Sequence, residues 1–112
     1  MEESNGFLYG VVLVYKTTVE GGYEPPRFSE DLVVLRADSE SMARQTGLKI
    51  GQVEESSHSN VFGEDVTWHF LGVADVRLLQ TDELEYGVPL MSRSFDNLAR
   101  YSELFSITSL KA

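Results

Sequence analysis

The chain contains no cysteine, which excludes disulfides, zinc–thiolate sites and cysteine nucleophiles and suits a reducing compartment. Histidine is scarce, with two in 112 residues. His58 and His69 lack the spacing of a metal-binding pair, so no metal and no cofactor is expected. Bases are outnumbered by acids, nine to 18, for a net charge of -9. A field of that sign repels phosphate backbones, so nucleic acid is not an expected ligand. No apolar run approaches the roughly 18 residues of a membrane span. The start, Met1-Glu2-Glu3-Ser4-Asn5-Gly6, is acidic and polar, unlike a signal peptide. These absences predict a cytoplasmic protein with no membrane contact.

What is present fits one domain. A chain of 112 residues can bury a core without a disulfide or metal. The core is expected over about residues 7–95, with a C-terminal helix and tail over 96–112. Phe7 to Val19 reads as a long strand with apolar residues on both faces, hence central in a sheet. Glu20 to Pro26 reads as a turn and extended loop, since glycines permit positive φ and paired prolines stop regular structure. Asp31 to Ala37 is a second strand. Asp38 or Ser39 then caps a helix running to about Glu55, with Met42, Thr46, Ile50 and Val53 as its expected buried stripe. Ala43, Gly47 and Gly51 form a row of small residues on that helix. Each glycine costs roughly 1 kcal/mol of helix propensity, which close approach to the sheet would offset. A helix that ends early is the alternative.

Ser56 to Asn60 reads as a polar loop. A third strand follows, with Val66, Trp68, Phe70, Gly72, Ala74, Val76 and Leu78 on one face. Gly72, in mid-strand, marks a bend or bulge. Val88 to Phe95 reads as a fourth strand, paired with the third as a hairpin. Asp96 can cap a last helix with Leu98, Tyr101, Leu104 and Phe105 on one side. The expected architecture is α+β, a mostly antiparallel four-stranded sheet in the order β-β-α-β-β-α with helices packed on one face.

Several of these stretches resemble a family of small, mainly bacterial domains of unknown function, DUF4288. The resemblance rests on the aromatic-rich strand Phe7 to Tyr15, the stretch Val33-Val34-Leu35-Arg36-Ala37-Asp38-Ser39 and the run Val66 to Val76. Gly87 and Ser92-Arg93 complete it, and it spans about Phe7 to Arg93. It implies a compact α+β domain. No catalytic or binding residue carries over.

Reaction chemistry is thin. On the third strand His69 and Asp75 share a face but stand six positions apart, roughly 20 Å at strand rise. Asp75 and Arg77 can form an ionic network with Arg93, either as plain surface pairing or as the centre of a binding face. His58 is expected in solvent. There is no phosphate-cradling glycine loop, calcium loop or nucleophile elbow. The acids concentrate instead, as Glu54, Glu55, Glu64, Asp65, Asp75, Asp82, Glu83 and Glu85, with Arg77 the one base among them.

Three readings follow. The first is a non-catalytic binding protein, such as an inhibitor or immunity-type protein that neutralises a basic protein partner, for instance a bacterial nuclease toxin. Those eight acids would make the contact. The second is a self-associating module, a homodimer through Tyr101, Leu104 and Phe105. The third, ranked last, is an enzyme using His69, Asp75, Arg77 and Arg93.

Overall fold

The computed structural model describes residues 6–21, 25–59 and 62–110, with the side chain of His58 outside that description. Phe7–Val19 forms β1 and Arg27–Ala37 forms β2. The two pair antiparallel, Phe7 opposite Ala37 and Thr17 opposite Arg27. Gly21, at φ 80°, turns the chain after β1, where a residue with a Cβ would be strained. The rest of the expected turn, Gly22 to Glu24, lies outside the described residues. α1 (Glu40–Val53) follows, its N-cap Ser39 accepting a 3.1 Å hydrogen bond from the Met42 amide. β3 (Ser56–Ser59) and β4 (Asp65–Leu78) make a second antiparallel hairpin. The last element is α2 (Leu98–Leu104). The sheet order is β2-β1-β4-β3, so β1 is central, as its two apolar faces require.

Tyr9, Val11, Leu13 and Tyr15 of β1 point to the α1 side of the sheet, where Val33, Leu35, Trp68, Phe70, Val73 and Val76 join them. Val11, Leu13 and Tyr15 are the largest fully buried side chains. Each such burial stabilises by about 1.5–3 kcal/mol. α1 closes this core through its small-residue row, for Ala43, Gly47 and Gly51 are its buried residues. A Cβ at Gly47 would stand 2.7 Å from Val11 Cγ1, and one at Gly51 would enter the ring of Phe70. The glycines therefore serve close packing, and α1 runs past both. The expected stripe is corrected accordingly. Thr46 and Ile50 are half-buried beside the row, whereas Met42 and Val53 are exposed, because the narrow edge of α1 faces the sheet.

β4 does not keep one face. Its pairing with β1 shifts register between Val12 and Leu13 and again between Val14 and Tyr15. Ala74 and Leu71 are the extra residues, and Gly72 between them has φ 149°. Each bulge reverses the alternation. Trp68, Phe70, Val73 and Val76 consequently share the core side, while Gly72 and Ala74 do not.

Two expected elements change. Ser56–Ser59 is a strand, not a loop. Val88 to Phe95 is not a strand, and the hairpin partner of β4 is β3. Pro89 removes a ladder donor there, and the segment lies across the second face of the sheet, where Met91 covers Gly10. The α+β class and the four-stranded antiparallel sheet stand, but the expected order holds only in part, because the third strand comes at Ser56–Ser59 and none follows β4. The helices, however, do not both pack on one face. α1 contacts β1, β2 and β4, whereas α2 packs against no other element, and its cap is Asn97 rather than Asp96.

Candidate functional site

Polar chemistry gathers on the second face of the sheet, the one α1 leaves open. Alternation along β1 brings Gly10, Val12, Val14 and Lys16 to it, opposite Arg77, Asp75, Gly72 and His69 of β4. Asp75 Oδ2 accepts from Arg77 Nε at 3.0 Å and lies 3.5 Å from Arg93 Nη2. Arg77 Nη1 also donates to the Ser92 carbonyl at 2.8 Å. Gln80 Nε2 donates to Ser92 Oγ at 3.4 Å. At the far side of the sheet Arg36 donates to the carbonyls of Gly6 and Asp82, at 2.9 and 3.0 Å. These arginines pin the chain beyond β4 onto the sheet. Paired with solvent-accessible groups, each contributes about 0–1 kcal/mol.

The structure therefore brings Asp75, Arg77 and Arg93 together and leaves His69 apart. His69 stands opposite Lys16 and Asp75 opposite Val12, four residues or about 13 Å along β1. No dyad forms between them. The His58 side chain lies outside the described residues. Among the described residues no three His, Cys, Asp or Glu side chains are arranged to hold a metal.

The eight acids do not form one surface. Asp75 is held by its two arginines. Glu54 is the C-cap of α1, and Glu55 accepts a 3.0 Å bond from the Phe70 amide, extending the ladder where β3 begins. Asp65 opens β4 opposite Ser59, whose Oγ is 3.5 Å from its carboxylate. Glu55 and Asp65 stand at opposite ends of the β3–β4 hairpin, four residues or about 13 Å of strand apart, with Glu54 next to the one and Glu64 next to the other. Asp82, Glu83 and Glu85 lie beyond the other end of β4, about 40 Å of strand away. Glu54, Glu55, Asp65, Asp82, Glu83 and Glu85 are all exposed.

Charge at the α1 end is reinforced in two ways. The last turn of α1 carries no base, so the negative end of its dipole is not neutralised there. The Tyr15 hydroxyl, buried and without a hydrogen-bond partner among the described residues, also registers the field. Its pKa is raised above 10.0 by burial first, then by Asp31 and by Glu54. Neither Tyr15 nor Asp31 stood out in the sequence. The available signal was the alternation of β1, which places Tyr15 with the core.

A second surface takes in Tyr101 and Phe105 of the expected C-terminal contact and adds Phe95, which the sequence pattern places in a strand. Phe95 stacks on Tyr101 at 4.2 Å and Tyr101 meets Phe105 at 5.0 Å. With Met91, Ser92 and Arg93 these rings line a groove of about 320 Å³. None of the α2 residues is buried.

Together these features define an α+β domain with one helix over a four-stranded antiparallel sheet, bearing separated acidic and aromatic surfaces. The family model described as a domain of unknown function, DUF4288, matches residues 8–92, more than half of the chain, and the chain belongs to that family. No curated protein and no solved structure matches it. No helix among the described residues is long and apolar enough to cross a membrane.

Proposed function

We propose that this domain acts by binding protein, as an inhibitor or immunity-type protein whose acidic α1 end receives a basic partner. The observation that carries this reading is the exposed pair Glu54 and Glu55 where α1 ends with no base in its last turn, with Glu64 and Asp65 at the far end of the β3–β4 hairpin. An acidic surface of this kind speeds encounter with a basic cleft and can occupy the places where that cleft holds phosphates. Asp82, Glu83 and Glu85 add long-range attraction from the other end. Asp75, already paired with two arginines, contributes less.

The test begins with a pull-down from the source lysate, washed at low and then high salt. The captured basic protein is then titrated against wild type, Glu54→Lys and the triple variant Asp82→Lys, Glu83→Lys, Glu85→Lys. Glu54→Lys is expected to slow association at low salt about tenfold or more. The triple variant is expected to slow it less. Equal rates for wild type and Glu54→Lys would remove the α1 end from the contact.

A second reading, self-association through the C-terminal helix, is favoured by one specific observation. α2 carries an aromatic cluster yet packs against no other element.

A further inference from the structure

We infer that β2 is the strand through which two copies of this chain pair, antiparallel about a two-fold axis at Val33, to make one continuous sheet. The contact uses neither the acidic α1 end nor α2 and stands apart from both.

β2 is an edge strand of 11 residues, about 36 Å long. Which of its backbone groups face outward follows from the ladders. Leu79 N donates to Leu8 O at 2.9 Å and Glu20 N to Asp65 O at 2.8 Å. The even-numbered residues of β1 therefore bond β4, and the odd-numbered ones bond β2. In the register that sets Phe7 opposite Ala37, the odd residues of β2 bond β1. Phe28, Glu30, Leu32, Val34 and Arg36 then turn their N–H and C=O groups to the open edge. Among the described residues no backbone bond joins β2 to anything but β1.

Folded proteins protect such an edge by keeping it short, by bulges or by proline. The opposite edge follows that rule, for β3 has four residues. β2 does not. It contains no proline or glycine, its register with β1 is unbroken, and Leu32 and Val34 stand 52% and 36% exposed along it.

The residues of β2 select a second β2 as the occupant. Outward bonds join even residues to even ones, which leaves few registers for self-pairing. The register centred on Val33 overlaps residues 29–37. It sets Glu30 opposite Arg36 and Leu32 opposite Val34, each twice, and Val33 opposite itself. Registers centred on Glu30 or Asp31 set like carboxylates face to face, which destabilises a pair of strands. Those centred on Leu32 or Val34 match no charges. Glu30 has no ion partner among the described residues. Arg36 bonds the neutral carbonyls of Gly6 and Asp82, which leaves its charge unbalanced. Two chains of net charge -9 repel unless their contact holds such a match. Pairing β2 with a neighbour's β3 would instead give a ladder of four residues at most and an assembly that does not close.

The chain has no cysteine, so a single introduced one reports the contact. The test is sedimentation velocity on the full chain, on Glu30→Arg and on Leu104→Glu, with mild oxidation of Val33→Cys and Asp31→Cys read on non-reducing gels. Circular dichroism checks that each variant folds. Wild type is expected to be a dimer. Facing Val33 residues form a non-hydrogen-bonded pair about 4.5 Å apart, within disulfide reach, so Val33→Cys is expected to cross-link. The two copies of residue 31 stand four positions, about 13 Å, apart along the strands, so Asp31→Cys is expected not to. Glu30→Arg makes two opposite-charge pairs into like ones and is expected to raise the dissociation constant about tenfold. It alters an exposed side chain, so it decides the matter even where Val33→Cys does not fold. Leu104→Glu is expected to dimerise as wild type does. A monomeric wild type would overturn the pairing and leave the acidic contact at α1 standing. A dimer lost in Leu104→Glu and kept in Glu30→Arg would move self-association to α2 and overturn it too. Cross-linking through Asp31→Cys but not Val33→Cys would overturn the register, and with it the charge match that selects a second β2.

Discussion

Tyr15 is the residue at which core and charge meet. Its ring is packed against Trp68 and Phe70, with centroids 6.1 and 5.5 Å away, while its hydroxyl lacks a hydrogen-bond partner among the described residues. An unsatisfied buried hydroxyl costs about 1–3 kcal/mol. Tyr15→Phe keeps the ring and removes that cost. Urea unfolding near pH 7 is expected to show stability unchanged or raised by up to about 2 kcal/mol. A clear loss would mean that the hydroxyl is satisfied. The pH dependence has a definite sign. The folded pKa lies above 10.0, so the native state holds this proton more tightly than the unfolded chain. The contribution is complete below about pH 10 and is lost as pH climbs through the folded value. The variant should accordingly lose less stability above pH 10 than wild type. The burial of Tyr15 was legible in the alternation of β1. Its orphaned hydroxyl was not, because that depends on what β2 and the end of α1 fail to supply. The eight acids were legible as residues but not as a surface. A stretch that is continuous in sequence is divided when fourteen of its residues form a strand.

At the scale of elements, the row Ala43, Gly47, Gly51 carries the strongest link from sequence to packing. Alanine at position 51 would gain roughly 1 kcal/mol of helix propensity, yet its methyl group would land in the Phe70 ring. Overpacking costs about 1–3 kcal/mol, so Gly51→Ala is expected to lower stability by about 1 kcal/mol in thermal unfolding. A rise instead would show that Phe70 moves aside freely. The range of β1 was legible to the residue because both of its faces are apolar. β3 was not, because an edge strand of serines and one histidine has no hydrophobic alternation. It is held by its ladder and by the Ser57–Thr67 hydroxyl contact at 3.3 Å. The 88–95 segment misleads in the opposite sense. A chain lying across a sheet buries alternate apolar residues much as a strand does, and Pro89 was the sign that it forms no regular ladder, its Leu90 carbonyl accepting a single backbone bond from Gln80 at 3.2 Å. The bulges around Gly72 were signalled by the glycine, but which neighbours become the extra residues is set by pairing with β1.

At the scale of the molecule, the domain and its C-terminal arm are separable. A chain ending at Arg93 keeps the Arg77–Ser92 and Asp75–Arg93 contacts and loses α2, which packs on no other element, and the aromatic side of the groove it shares with Met91, Ser92 and Arg93. Measured at concentrations low enough to keep chains apart, its unfolding free energy is expected to fall within about 1 kcal/mol of the full chain. A larger drop would place the arm within the folding unit. Inside that unit the core is unevenly owned, for β1 supplies six of the ten buried apolar residues, Leu8, Tyr9, Val11, Val12, Leu13 and Tyr15. Val33 is near to hand, but Val76, the other partner of Val11, comes some 65 residues later. At synthesis rates of about 5–20 residues per second that gap lasts several seconds. During translation the β1–β2 hairpin must therefore wait with one flank of its most apolar strand uncovered until β4 leaves the ribosome. The nascent chain is most in need of a chaperone in that interval, well before the acidic surfaces that keep the finished protein dispersed are complete.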